Sequence, residues 1–339
     1  VRSSGSIIHN CFYNVISSRS KEEFVQLPYN TLEKEISESA EEYLSTQMGG
    51  EFAKSPRFEL GFKKLSQRLI KVMMHTQQEL MASSFEPKAF EINLREAEGG
   101  RSLRLPFSGG TLSFGGIIDR ADSCIVNGEK YVRIIDYKSS GKDIDKYRLS
   151  GGVNMQMLLY LFAITENKGI YADSKPAGVL YSPVSISNVD SDDTRIATEN
   201  TKEINSALKT SGLVLSDINV LEAMEHDVSG KYVPAKLNKF GDIDVKSSCI
   251  TQDAFDELKK FTYQKLIDMA ESVYNGDADA NPLIFGEKDI PCNFCDYGSV
   301  CGNSSMARFR DGYEADTQAA DEILSKKSVK KEAEENGMD

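Results

Sequence analysis

Two aspartates and a lysine, set among strand-forming residues, are the first side chains in this sequence that could do chemistry. Asp119 lies in the run GGIIDRADSCIV, and Asp136 and Lys138 lie in KYVRIIDYKSS. Asn127-Gly128 separates the two runs; both residues tolerate positive φ, so the pair predicts a two-residue hairpin turn. With that turn, Val126 faces Glu129, Asp122 faces Arg133, and Asp119 faces Asp136. Side chains alternate along a strand, so Lys138 shares the face of Asp136. Two carboxylates directly opposite one another, with Cβ atoms about 5 Å apart, repel unless a cation sits between them. Hard oxygen donors of this kind suit Mg2+ or Mn2+. Such an ion would activate a water and stabilise charge on a phosphoryl group, with Lys138 orienting or deprotonating the nucleophile. The same spacing also fits exposed surface acids beside a solvated lysine, so spacing alone leaves the choice open.

The elements that must position these groups follow from periodicity. Residues 116–126 and 129–139 read as the two hairpin strands, rich in Ile, Val and Tyr. After a polar, Gly-rich connection, a helix over 153–167 carries Gln156 and Tyr160 one turn apart on one face. Residues 177–183 (AGVLYSP) read as a buried strand, so strand, helix and strand form a crossover unit in a mixed sheet. Upstream, Ile7, Ile8, Cys11, Phe12, Val15 and Ile16 fall at helical spacing, and helices are predicted over 30–48 and 57–83. Lys63, Lys64, Arg68 and Lys71 on the last of these could track phosphates, though a solvated face is the simpler reading. Residues 89–94 and 103–107 read as strands. Downstream, 215–226 and 251–274 read as helices, with a peripheral hairpin in 231–250.

Composition sets bounds. The chain has 339 residues, enough for one large domain or two small ones. No apolar run approaches the roughly 20 residues of a membrane helix, so no membrane partner is expected. The chain begins with Val rather than Met, which reads as a segment of a longer protein. A net charge of −12 argues against a protein that coats nucleic acid, but not against an enzyme gripping it through a local groove and a metal. Of six cysteines, Cys292, Cys295 and Cys301 cluster within ten residues, a metal-site pattern of a reducing, cytoplasmic compartment. Tetrahedral zinc and a [4Fe–4S] cluster both fit that spacing, and either needs a fourth ligand.

Asp119, then Asp136-Tyr137-Lys138, then Gln156-x-x-x-Tyr160, together resemble the PD-(D/E)XK nuclease family, RecB branch. An upstream Gly5-x-x-x-His9 and the downstream Cys292-x2-Cys295-x5-Cys301 extend the resemblance from Gly5 to about Gly302, in the manner of AddB-type helicase–nuclease proteins. Each motif alone is weak; five in the right order are not. The resemblance implies an α/β fold, a central mixed sheet flanked by helices with a restriction-endonuclease-like core. It implies that His9, Asp119 and Asp136, with the backbone carbonyl of Tyr137, bind Mg2+ or Mn2+, that Lys138 is the catalytic lysine, and that Gln156 and Tyr160 support the site and contact DNA; Glu91, an acid on the strand before the hairpin as in members of the family, is a minor candidate beside the metal. It further implies a DNA exonuclease in double-strand break repair and recombination, partnered by an AddA-type subunit. The cysteines would hold a [4Fe–4S] cluster whose fourth cysteine precedes the Gly5–His9 helix. That cysteine is not in these 339 residues, so the cluster is expected to be incomplete here. The expected layout is one nuclease domain over 1–315, with catalytic core 86–184, peripheral insertion 185–250, cysteine cluster 288–302 and charged tail 316–339. Rival readings are a stand-alone CRISPR-associated-type exonuclease and a DNA-binding scaffold without activity.

Overall fold

The computed structural model describes residues 2–47, 56–95, 103–138, 143–166, 170–184, 206–287, 289–301 and 309–327. Four helices open the chain: α1 (Arg2–Ser17), α2 (Lys21–Val25), α3 (Tyr29–Gln47) and α4 (Pro56–Met81). The apolar stripe read from the sequence is the reason α1 sits where it does. Ile7, Ile8, Cys11, Phe12, Val15 and Ile16 are all buried, and the helix lies against α3 and β1. A capping box starts α2: the Ser20 hydroxyl accepts from the Glu23 N–H, and the Glu23 carboxylate accepts from the Ser20 N–H.

The central sheet has six strands in the order β1-β4-β5-β6-β7-β8. These are β1 (Glu86–Asn93), β4 (Ile117–Val126), β5 (Glu129–Lys138), β6 (Lys175–Pro183), β7 (Ser211–Leu215) and β8 (Cys249–Ile250). β5 and β6 pair in parallel, as do β7 and β8, and the other pairs are antiparallel, so the sheet is mixed. The crossover from β5 to β6 runs through α5 (Lys146–Ser150) and α6 (Gln156–Glu166). Met157 to Ile164 of α6 are buried without a break, which is why that helix shows almost no polar face. Helix α7 (Ile218–Met224) buries Val220, Leu221 and Met224, and α8 (Gln252–Tyr274) starts at Thr251, whose hydroxyl accepts from the Ala254 N–H.

The hairpin register follows from its turn. Val126 pairs with Glu129, Asp122 with Arg133 and Arg120 with Ile135, and Asn127 takes φ +53 and Gly128 φ +83.

The strands read at 89–94 and 103–107 fall in different sheets: β1 joins the central sheet, and β2 (Leu103–Phe107) pairs with β3 (Gly110–Phe114) in a separate ribbon. The segment expected as a peripheral insertion, within its described part 206–250, supplies β7 and β8 to the central sheet. β7 escapes a pattern search because it is five residues long and contains Gly212, which takes φ +129 where a Cβ would strike the Val179 carbonyl. The charged tail contributes a packed helix, α9 (Gln318–Ser325), which buries Ala320 and Ile323 against α5 and α8. The expected insertion loop at 185–204 lies outside the described residues.

Candidate active site

Three strands and one helix converge at one end of the hairpin. In β1, Phe90 pairs with Arg120 and Ile92 with Ile118, so Glu91 lies beside Asp119 of β4. His9 comes across from α1. Its Nδ1 is 3.3 Å from Asp119 Oδ1 and 3.8 Å from Glu91 Oε1. One ligand atom from each of His9, Glu91 and Asp119 lies within 4.8 Å of the others, the geometry of a group that can hold a cation. The hydrogen bonds to Asp119 and then Glu91 push the His9 pKa up to about 10, against the effect of burial.

Asp119 is held from the next strand. The Tyr137 backbone N–H donates to its Oδ2 at 2.9 Å. The Tyr137 ring points the other way, packed on Phe12 with centroids 4.1 Å apart and edge-on to His9 at 6.2 Å. So the residue between Asp136 and Lys138 fixes Asp119 through its backbone N–H and touches His9 with its ring.

Asp136 and Lys138 form a pair of their own: the ammonium is 2.9 Å from Asp136 Oδ1 and 2.7 Å from Oδ2. Burial, and then the charge of Asp119, push the Asp136 pKa above the ordinary carboxylate value, with Lys138 and His9 opposing. Its Oδ2 is buried and has no aligned hydrogen-bond donor. The site thus holds three carboxylates against one ammonium and one imidazole. That donor set fits a hard divalent ion such as Mg2+ or Mn2+.

Gln156 Nε2 donates to the Tyr160 hydroxyl at 2.7 Å across one turn of α6. That hydroxyl occupies the space where a Cβ on Gly116 would lie, so only glycine fits just ahead of β4. The motif pair is therefore pinned at the start of the strand that carries Asp119.

The structure brings together His9, Asp119, Asp136, Tyr137 and Lys138, and sets Gln156 and Tyr160 against the same strand. Three placements bear on the expected ligand set. Glu91, a minor candidate in the sequence, stands within the compact group. Asp136 stands outside it, turned to Lys138, because the nearest cation draws a carboxylate that Asp119 repels. The Tyr137 carbonyl was the expected backbone ligand; the contact seen is made by its N–H. The Glu91 backbone takes φ +47, in the left-handed region, which no residue pattern encodes.

The cysteines are placed apart from all this. Cys292 lies in a 3-10 turn (Pro291–Phe294) and Cys301 ends a helical turn (Gly298–Cys301), with Cys295 and Cys301 exposed. Among the described residues the three thiols do not come within 4.8 Å of one another.

On the reverse face of the same hairpin, Arg120, Asp122 and Arg133 are fully buried. Arg120 donates to both Asp122 oxygens at 2.7 Å and to the Tyr137 hydroxyl at 3.1 Å. Arg133 donates to Asp122 at 3.1 Å and to Glu79 of α4 at 2.5 Å. Burial alone would raise the Asp122 pKa, but the two guanidinium groups overcome it and hold the carboxyl below its ordinary value.

The family model of the PD-(D/E)XK nuclease superfamily matches residues 1–302. The chain belongs to the PD-(D/E)XK nuclease superfamily. Its curated relatives include proteins named as one of the subunits of an ATP-dependent helicase/deoxyribonuclease. The one from Thermoanaerobacter sp. (strain X514) is 33% identical over 251 residues, 73% of this chain and 22% of the relative. Those from Caldanaerobacter subterraneus subsp. tengcongensis and Clostridium perfringens are each 30% identical, over 88% and 73% of this chain and 26% and 22% of the relative. The chain thus spans about a quarter of the length of the curated relatives it matches. As a PD-(D/E)XK nuclease it carries the superfamily's mixed sheet with flanking helices. No helix among the described residues is long and apolar enough to cross a membrane.

Proposed function

We propose that this chain is the nuclease part of a helicase–nuclease and hydrolyses DNA phosphodiesters with Mg2+ or Mn2+. The observation that carries this reading is the meeting of His9, Glu91 and Asp119, from one helix and two strands, beside the Asp136–Lys138 pair. His9, Glu91 and Asp119 would hold the metal, with Asp136, ion-paired to Lys138, as a further donor. When bound, the metal supplies Lewis acidity toward a phosphate oxygen and lowers the pKa of water.

The chain's own residues do the rest. The Tyr137 N–H keeps Asp119 in one rotamer. Lys138, partly exposed and anchored to Asp136, orients the water that attacks phosphorus as the P–O bond to the leaving strand breaks. Exposed Gln156 contacts the strand from α6, held by its hydrogen bond to the buried Tyr160. The names of the relatives support the wider reading: an exonuclease working on strands delivered by a helicase, with DNA as substrate and an AddA-type subunit as partner. Its place would be double-strand break repair and recombination in the cytoplasm. A [4Fe–4S] cluster would have to draw Cys292, Cys295 and Cys301 together with a fourth ligand; no catalytic step runs through it, and its role would be to staple the domain.

The test is cleavage of end-labelled single- and double-stranded DNA with Mg2+ or Mn2+, by the wild type and Lys138→Ala, each alone and with the helicase partner. Cleavage by the wild type and not by the variant supports the reading. No metal-dependent cleavage by the wild type in either setting overturns it in favour of a DNA-binding scaffold.

A further inference from the structure

A cavity of about 660 Å³ opens beside the metal-binding group, with His9 and Glu91 on its wall. That is within the range of about 300–1,000 Å³ of small-ligand pockets. The rest of its lining is Ser6, Asn10, Tyr13, Tyr43 and Phe90. Three aromatic rings and two small polar side chains therefore surround a space that shares two residues with the group proposed to hold the metal.

The arrangement is built into the secondary structure. Ser6, Asn10 and Tyr13 recur at helical spacing with His9, so one face of α1 carries both the imidazole and part of the cavity wall. Tyr43 comes from α3, which packs on α1. Strict alternation along β1 would send Phe90 and Glu91 to opposite faces. Glu91 takes φ +47, in the left-handed region, and both residues line the cavity. A non-glycine residue is uncommon in that region.

The lining also says what would bind. Among the described residues its lining has no lysine or arginine, and Glu91 is an acid, which disfavours a phosphate group against these residues. Aromatic rings instead suit the flat, uncharged face of a nucleobase, and such stacking tolerates any base. A base can enter only when it is not paired and stacked within a duplex. The geometry points to a nucleobase subsite: Tyr13, Tyr43 and Phe90 stack an unpaired base of the strand whose neighbouring phosphate lies at the metal. This deepens the proposed nuclease function and rests on it.

The test uses the full chain carrying Lys138→Ala, in Mg2+, so that strands bind and are not cut. The probes are a fluorescein-labelled single-stranded 20-mer, its blunt duplex, and single strands with one 2-aminopurine near the end. Tyr13 is exposed, so its replacement leaves the core untouched. Tyr13→Ala is expected to weaken single-strand binding roughly 5- to 100-fold and to abolish quenching of 2-aminopurine at the base next to the bound phosphate. Tyr13→Phe keeps the ring and is expected to restore both. If Tyr13→Ala and Tyr43→Ala bind the single strand as the parent does, while the same changes in the Lys138 background still cut it, the subsite is wrong and the nuclease reading stands. Equal affinity for the blunt duplex and the single strand also overturns the subsite. If the wild-type chain neither binds nor cuts any of the DNAs, both fall together.

Discussion

The two faces of the β4–β5 hairpin carry the same kinds of side chain and treat them in opposite ways. On one face Arg120, Arg133, Asp122 and Glu79 balance two positive against two negative charges, buried and linked by hydrogen bonds of 2.5–3.1 Å. Only Arg133 Nη1 lacks a partner there, and that guanidinium lies over the Phe85 ring. On the other face Glu91, Asp119 and Asp136 outnumber Lys138, and His9 is the one further basic group among them. The first face is complete in itself; taking away one member leaves an unpaired buried charge. The second carries an excess of acid that the metal proposed above would balance. The Asp122 pKa is lowered and the Asp136 pKa is raised, although the two acids lie on neighbouring strands.

The comparison can be broken by substitution. Lys138→Ala should lower kcat at least roughly 100-fold, the range of a lost general acid or base, with the thermal midpoint nearly unchanged; a collapse of the fold would place Lys138 with the structural charges. Asp122→Ala should do the reverse and cost about 3–5 kcal/mol in urea unfolding by stranding two buried guanidinium groups. In the absence of metal, Asp136→Asn should leave stability unchanged or raise it, since it removes a carboxylate that Asp119 repels; adding Mg2+ should then stabilise the wild type and not the variant. Tyr137→Phe removes the hydroxyl that accepts from Arg120 and should cost about 1 kcal/mol, measurable by the same urea titration.

The smallest effect is a matter of pH. Asp122 has a folded pKa below its unfolded value of 3.8, so its contribution is present above pH 3.8 and is lost as pH falls through the folded value. Asp136 is raised, so its contribution has the opposite sign: it is greatest at low pH and falls as pH rises past 3.8. Acid titrations of stability should therefore flatten below pH 3.8 in Asp122→Asn, whereas in metal-free Asp136→Asn the stability lost by the wild type as pH rises above 3.8 should be retained. Curves that move the same way would erase the distinction between the faces.

The sequence by itself determined what is local. Asn127-Gly128 set the hairpin register, because a turn with two positive φ angles admits few other residues. The two-residue period put Asp136 and Lys138 on one face, and the 3.6-residue period put Gln156 beside Tyr160. Tertiary structure decided what depends on contacts between distant segments. His9 reaches Asp119 from 110 positions away only because α1 buries its apolar stripe against α3 and β1. Glu91 joins them through a backbone angle that its residue type does not announce. Asp122 and Arg133 were visible as a cross-strand pair, but their burial with Arg120 and Glu79 required α4 to close over them. β7 and β8 were too short to show a period, and α9 had no fate in the sequence until α5 and α8 gave it a surface. Strand and helix periods act over a few residues, whereas a charge becomes either structural or functional according to which neighbours the whole fold brings to it.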